Sequence, residues 1–220
     1  MFVTFEGPEG AGKSTALAVV ASKLRDLGHS VLTTREPGAG AFGQRIRQML
    51  LEEGAVSKET ELLLFLADRA NHIETIIVPA LEAGQIVLCD RHADSTIVYQ
   101  GYGRGLDLEF LRAGNRFATK GLVPDLTLLF DLDPQIGLDR LNIYEKNLFE
   151  TNEKRRDVNR LDREPLEFHQ RVRNGFLEIA KEEPNRFVIL NAEKSPEHLS
   201  EEALNAVLSR EKGHTLYNPR

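Results

Sequence analysis

Cysteine is nearly absent from this 220-residue chain, and the single Cys89 has no second thiol with which to close an intramolecular disulfide. The opening MFVTFEG carries neither a basic segment nor a long apolar run, so the expected compartment is the cytoplasm. No apolar stretch approaches the roughly 20 residues that cross a bilayer, and no membrane partner is expected. The six histidines show no metal-ligand spacing with one another or with Cys89. Positive charge is in deficit, 28 Lys and Arg against 34 Asp and Glu, which argues against nucleic acid or another polyanion as a partner. What is present is a chain 41% hydrophobic and 28% charged, with nine scattered prolines and no break in composition. That mass buries roughly 70% of its unfolded surface and is expected to form one domain over residues 1–220.

Short apolar runs alternate with helical periodicities. Phe2 to Phe5, Ser30 to Thr34, Ile86 to Cys89, Leu126 to Phe130 and Phe187 to Leu190 read as five strands, and three of them lack the alternation of a half-exposed sheet. Between them, Thr15 to Leu27 and Thr60 to Leu81 carry 3-to-4-residue spacing; Gly28 stops the first, and a break is expected near Pro79 in the second. Ile46, Met49 and Leu50 mark a further helix, and Asp133-Pro134 and Ser195-Pro196 sign two more starts by a capping side chain followed by proline. The fold class is α/β, a doubly wound parallel sheet of five strands with helices on both faces. The charge-mixed stretch 142–160 departs from the alternation and reads as an excursion between helices.

Residues 7–14, GPEGAGKS, satisfy G-x-x-x-x-G-K-[ST] between a strand and a helix. Gly7, Gly10 and Gly12 let the backbone curl so that N–H groups meet phosphate oxygens, and the helix N-terminus adds favourable partial charge. Pro8, Glu9, Ala11 and Thr15 complete the nucleotide-binding segment. Lys13 is placed to reach the β and γ phosphates of ATP, and the Ser14 hydroxyl to ligate Mg²⁺. Gly38 to Gly43, GAGAFG, also fits G-x-G-x-x-G, but it follows the second strand rather than the first and reads as a flexible connection. The D-x-x-G and N-K-x-D patterns of regulatory GTPases do not occur, which leaves a small-molecule kinase.

Such an enzyme needs cations around the transferring group and a pocket for the acceptor. Arg35 and Arg91 end apolar strands at the edge where open parallel sheets bind ligands, and Asp90 is placed to help hold the Mg²⁺ hydration shell. Phe65 and Arg69, four apart on a helix, offer a flat aromatic surface and a bidentate donor. Ser95, Thr96, Tyr99 and Gln100 form a polar set suited to a nucleobase and sugar.

The blocks FEGPEGAGKST, TREPG, LFLADRANHI, DRHADSTIVYQGYGRGL, VPDLTLLFDLDPQIGLDR and NRLDREPLEFHQRV, in this order, resemble the bacterial thymidylate kinases over essentially the whole chain. The resemblance implies the P-loop NTPase fold, transfer from ATP to dTMP with Mg²⁺ to give dTDP, and a homodimer. It makes Arg35 and Arg91 the clamp for the dTMP phosphate, Phe65 the thymine stack, Arg69 the partner of O4, and Thr96 and Gln100 base readers. By the same resemblance Tyr99 crowds a ribose 2′-hydroxyl and Glu9 lies near the 3′-hydroxyl. The excursion 142–160 matches the family's lid, so Arg155, Arg156 and Arg160 are candidate catalytic arginines beside Lys13 and Arg91. This chain departs from the family in REPGAGAFG, in a longer lid, and in NRLD with Asn159 and Asp162 after it. The alternatives are a kinase for another nucleoside monophosphate, or a nucleotide-binding protein whose transfer chemistry is impaired.

Overall fold

The computed structural model describes residues 1–51, 56–141 and 160–215. The five apolar runs are the strands β1 (Phe2–Glu6), β2 (Val31–Arg35), β3 (Ile86–Asp90), β4 (Leu126–Asp131) and β5 (Phe187–Asn191). They form one sheet in the order β2-β3-β1-β4-β5, every pair parallel. Successive side chains of a strand face opposite ways, and here both faces are apolar. Val3, Phe5, Leu128 and Phe130 pack on one side with Leu17, Val20 and Leu24 of α1 (Lys13–Asp26) and Leu199 and Val207 of α9 (Pro196–Thr215). On the other side, Leu129 and Phe187 meet Phe168, Val172 and Phe176 of α8 (Leu166–Glu182), and Phe2, Val87 and Cys89 meet Ile73 and Ile77.

Local chemistry sets the helix ends. After α1 the Gly28 N–H donates to Arg25 and His29 N–H to Leu24, a glycine-dependent C-terminal turn with Gly28 at φ +91°. Ser57 caps α3 (Lys58–His72) through Thr60 N–H, and Asp107 caps α6 (Leu108–Ala118) through Phe110 N–H. The expected proline starts hold: α7 (134–141) begins behind Asp133, whose Oδ1 accepts from Gln135 N–H, and Ser195 Oγ accepts from His198 N–H at the head of α9.

Two expectations are corrected. Gly38 to Gly43 is not a flexible connection, because α2 (Gly40–Leu51) begins at Gly40. A Cβ on Gly43 would stand 2.6 Å from Asp68 Oδ1, so the glycine permits close packing of a regular helix. The helix from α3 is not broken at Pro79 either: it widens into a π-helical turn at Ile73–Ile77, with Val78 N–H bonded back to Ile73 O, and Pro79 follows in the first turn of α4 (Val78–Glu82). The excursion 142–159 lies outside the described residues, so the lid expectation, with Arg155 and Arg156, has no structural counterpart here.

The register brings the chemistry together. Phe5 pairs with Asp90, and Asp90 with Arg35, so the carboxyl ends of β1, β3 and β2 stand level at one edge. Beyond β3 the chain enters α5 (Ala93–Thr96) and a π-helical segment, Ile97–Gly103, which carry the polar set over that edge. Asp94 at the start of α5 is tied down by both Nη atoms of Arg186, at 2.6 and 3.0 Å.

Candidate active site

A cleft of about 380 Å³ opens at this edge and is lined by Glu9 to Thr15, Arg35, Phe65, Arg69, Asp90, Arg91, Ser95, Thr96, Tyr99 and Gln100. Widely separated stretches that the sequence singled out thus share one wall-to-wall space.

The loop after β1 is shaped by close approach. A Cβ on Gly7 would lie 2.4 Å from the Phe130 carbonyl oxygen, and one on Gly10 2.3 Å from that of Gly137 in α7. Gly12, at φ +83°, turns the chain into α1. No described residue accepts a hydrogen bond from the N–H groups of Gly10, Ala11 or Gly12, and all three residues line the cleft. Lys13 is buried and donates to the carbonyls of Gly7 at 3.0 Å and Pro8 at 2.7 Å. Burial, reinforced by the Arg91 cation, lowers its pKa to about 8. Ser14 Oγ donates to Asp90 Oδ2 at 2.5 Å, which joins the two expected metal ligands.

Arg91 reaches the same loop from β3 in a left-handed backbone conformation, φ +68°. It donates to Gly7 O at 3.0 Å and to Glu9 Oε1 at 2.8 Å, and its guanidinium stands 4.9 Å over the Tyr99 ring. Although burial alone would make the cation less favourable, Glu9 and the neighbouring acids hold Arg91 firmly protonated. Tyr99 donates to the same Glu9 oxygen at 2.8 Å, and burial pushes its hydroxyl pKa well up. Arg35 is exposed at the rim and makes no side-chain hydrogen bond or ion pair to a described residue. Behind the loop, Glu6 accepts from His92 N–H at 2.7 Å and Ser95 Oγ at 2.6 Å; burial, then the Asp94 carboxylate, raises its pKa to about 7.

The far end of the cleft is a buried ionic network. All five N–H groups of Arg69 meet protein acceptors: Glu36 twice, Thr96, Asn115 and the His92 carbonyl, at 2.7 to 3.0 Å. A base oxygen arriving beside Arg69 therefore shares or replaces one of these bonds. Glu36 also accepts from His72 Nδ1 at 2.8 Å and His92 Nδ1 at 2.9 Å. Burial alone would raise the Glu36 carboxyl, but Arg69, His92 and the imidazole bonds hold it well below the usual carboxylate range. Phe65 lies half-buried against the apolar cluster of α8, one face of its surroundings being the cleft. Gln100 donates to the buried Glu61 carboxylate at 2.7 Å.

Arg160 is not brought to the phosphate loop. It stands in a 3₁₀ turn, Arg160–Arg163, where Glu61 captures its guanidinium in an ion pair. Sequence reasoning missed Glu36, Glu61, His72 and His92, as well as Arg47, which lines the cleft and donates to Pro37 O. A signal existed for part of this set. Glu61, Phe65, Asp68, Arg69 and His72 recur at the spacing of one helical stripe, and that stripe faces inward. Arg140, also missed, bonds the carbonyls of Gly10 at 3.4 Å and Ala192 at 3.0 Å, linking the loop to the end of β5.

Comparison with known proteins gives a consistent answer. The family model described as thymidylate kinase matches residues 5–203. The thymidylate kinase of Desulfovibrio desulfuricans is 51% identical over 215 residues, covering 94% of each chain. That of Nitratidesulfovibrio vulgaris is 50% identical over 211 residues, covering 95% of this chain and 96% of the other. Among solved structures, the thymidylate kinase of Ehrlichia chaffeensis superposes with a TM-score of 0.74 at 32% identity, covering 94% of this chain and 98% of that one.

Proposed function

Since the chain belongs to the thymidylate kinase family and so transfers the γ-phosphoryl group of ATP to dTMP, we propose that it does so in the cleft at the ends of β1, β2 and β3, with the residues at each end of that cleft in distinct roles. The observation that carries the assignment is the joining, within one cleft, of a glycine loop whose N–H groups no described residue accepts from to two cations, Lys13 and Arg91, that meet at the Gly7 carbonyl.

ATP lies on residues 7–15. Its phosphate oxygens take the free loop N–H groups and draw Lys13 from the carbonyls it now holds. The dTMP phosphate sits between Arg35 and Arg91, and one of its oxygens attacks the γ-phosphorus as the bond to the β,γ-bridging oxygen breaks. Lys13 and Arg91 stabilise the charge spread over the equatorial oxygens, and Arg155 and Arg156, outside the described residues, are the candidates to add to it. Glu9 bonds the sugar 3′-hydroxyl, and the Tyr99 ring occupies the space of a 2′-hydroxyl, which selects the deoxy sugar. Phe65 stacks on thymine, Arg69 faces O4, and Thr96 and Gln100 read the remaining edge.

Ser14 and Asp90 suit a Mg²⁺ carried by ATP: both are hard oxygen donors, already 2.5 Å apart. Among the described residues no group of three His, Cys, Asp or Glu is placed to hold a metal ion. When bound, the ion supplies neutralisation of β and γ phosphate charge.

Residues 1–220 act as one domain with 142–160 as its lid, in the cytoplasm; among the described residues no helix is long and apolar enough to cross a membrane. A second copy of the chain covers the adjacent helices α3 and α6, where Leu63, Phe110 and Phe117 stand 59 to 85% exposed. Sedimentation at micromolar concentration is expected to give a dimer that Phe117→Glu dissociates; a wild-type monomer overturns this part.

The decisive assay follows ADP release from ATP and Mg²⁺ with dTMP, dUMP, UMP, CMP, GMP and AMP offered in parallel. dTMP is expected to be preferred. Turnover of another acceptor in its place, or ATP and dTMP binding without turnover, would move the assignment to the corresponding alternative.

A further inference from the structure

Phosphoryl transfer as described makes no use of the Glu61 carboxylate, yet it is fully buried and heavily coordinated. Its Oε1 accepts from Gln100 Nε2 at 2.7 Å and Arg104 Nε at 3.2 Å; its Oε2 accepts from Arg104 Nη2 at 3.3 Å and from Arg160 Nη2. A guanidinium has only donors to offer, so the two arginines carry no directional information. A primary amide differs: it has an acceptor at one corner and two donors at the other, and either corner can face a neutral partner. A carboxylate only accepts. Glu61 therefore takes the NH₂ corner of Gln100 and directs Oε1 away from itself. That oxygen accepts no hydrogen bond from a described residue, and Gln100 lines the cleft beside Thr96 and Phe65.

The neighbouring wall has the opposite polarity. Thr96 Oγ1 accepts from Arg69 Nη1 at 2.9 Å, so its own hydroxyl hydrogen is left to donate. Two buried ions thus polarise two neutral side chains, four residues apart, into an acceptor and a donor.

We propose that Glu61 sets the selectivity among pyrimidines, by locking Gln100 as an acceptor toward the base; this rests on the dTMP reading above. A 4-oxo pyrimidine gives its N3–H to Gln100 Oε1 and its 4-oxygen to the donor side. A 4-amino pyrimidine brings a lone pair at N3 against Oε1 and an amino group against donors. Glu61 is a positioning residue and touches no substrate.

The probes are dTMP and 5-methyl-dCMP, which share the sugar, phosphate and 5-methyl group and differ only at the N3 and 4 positions. In Glu61→Gln, Arg104 Nη2 and Arg160 Nη2 together hold the new amide oxygen where Oε2 stands, the new NH₂ falls at Oε1, where the long 3.2 Å bond from Arg104 Nε is given up, and Gln100 flips to meet it. The ratio of kcat/KM for dTMP over 5-methyl-dCMP is expected to fall about tenfold or more, with the change concentrated in KM. Arg104→Met removes an ion pair from the same carboxylate but leaves it an acceptor, and is expected to keep the wild-type ratio within about twofold. If Glu61→Gln alone does not fold by its melting curve, Glu61→Gln with Arg104→Gln removes one charge of each sign and serves in its place. An unchanged ratio in the Glu61 variant, or an equal loss in Arg104→Met, overturns the proposal. A wild-type enzyme that phosphorylates neither probe overturns the functional reading itself, so the two failures are separable.

Discussion

At the phosphate end of the cleft, Lys13 is held by two backbone carbonyls of its own loop, whereas at the base end Glu36 is held by Arg69, His72 and His92, side chains that are themselves buried. The first arrangement is a placeholder. Incoming phosphate oxygens offer Lys13 stronger, charge-assisted partners than neutral carbonyls do, so its present bonds exchange on binding. The second arrangement is permanent: breaking a buried pair leaves an uncompensated charge in a medium that solvates it poorly. One end is built to let go and the other to stay, which separates residues that govern rate from residues that govern stability and base choice.

Substitution at each end breaks or sharpens that contrast. The largest effect is expected for Lys13→Met, with kcat lowered about 10³-fold or more, on the order of 4 kcal/mol of transition-state stabilisation. Because Lys13 is already desolvated, the same change should move the urea-unfolding free energy by less than about 1 kcal/mol; a loss comparable to the kinetic one would mean that Lys13 is a structural residue. Glu36→Ala should do the reverse. It strands the Arg69 cation, 1% exposed, and is expected to remove about 3 kcal/mol of stability, while enzyme that remains folded keeps most of its kcat and shows a raised KM for dTMP. An unaltered unfolding midpoint would show the network to be dispensable.

The smallest effect is one of pH. With its pKa lowered to about 8, Lys13 loses its charge above that value in the free enzyme. The kcat/KM for ATP should therefore fall about tenfold per pH unit above pH 8. Bound phosphates restore the charged form, so kcat should stay level to higher pH. Parallel declines of kcat and kcat/KM would show that Lys13 is not released to the nucleotide.

The two ends were also unequally legible. The phosphate loop is contiguous, and its glycines answer to local geometry: GPEGAGKS is readable because the approach of a backbone to an anion needs those residues in that order. Five apolar runs of strand length gave the sheet for a similar local reason. The base end is spread over the loop after β2, α3, the segment from His92 to Gln100, α6 and the turn at Arg160, and Glu61, Asp68, Arg69 and His72 lie on an inward stripe of α3 where apolar side chains are the rule. Glu61 and His72 look like surface residues until their partners, 39 and 36 positions away, are known. Arg160 shows the converse: its place beside the lid suggested the phosphate, but its guanidinium pairs with the buried Glu61 carboxylate, 99 positions away in the chain.

By itself the sequence determined the α/β alternation, the glycine loop with Lys13 and Ser14, and the placement of Arg35 and Asp90 each at the end of its own strand, because each follows from covalent neighbours and from periods of two or 3.6 residues. Only the tertiary structure decided which charges neutralise one another and which corner of Gln100 faces the base. Those outcomes depend on through-space distances of about 3 Å between residues far apart in the chain, and on the burial that makes such distances count.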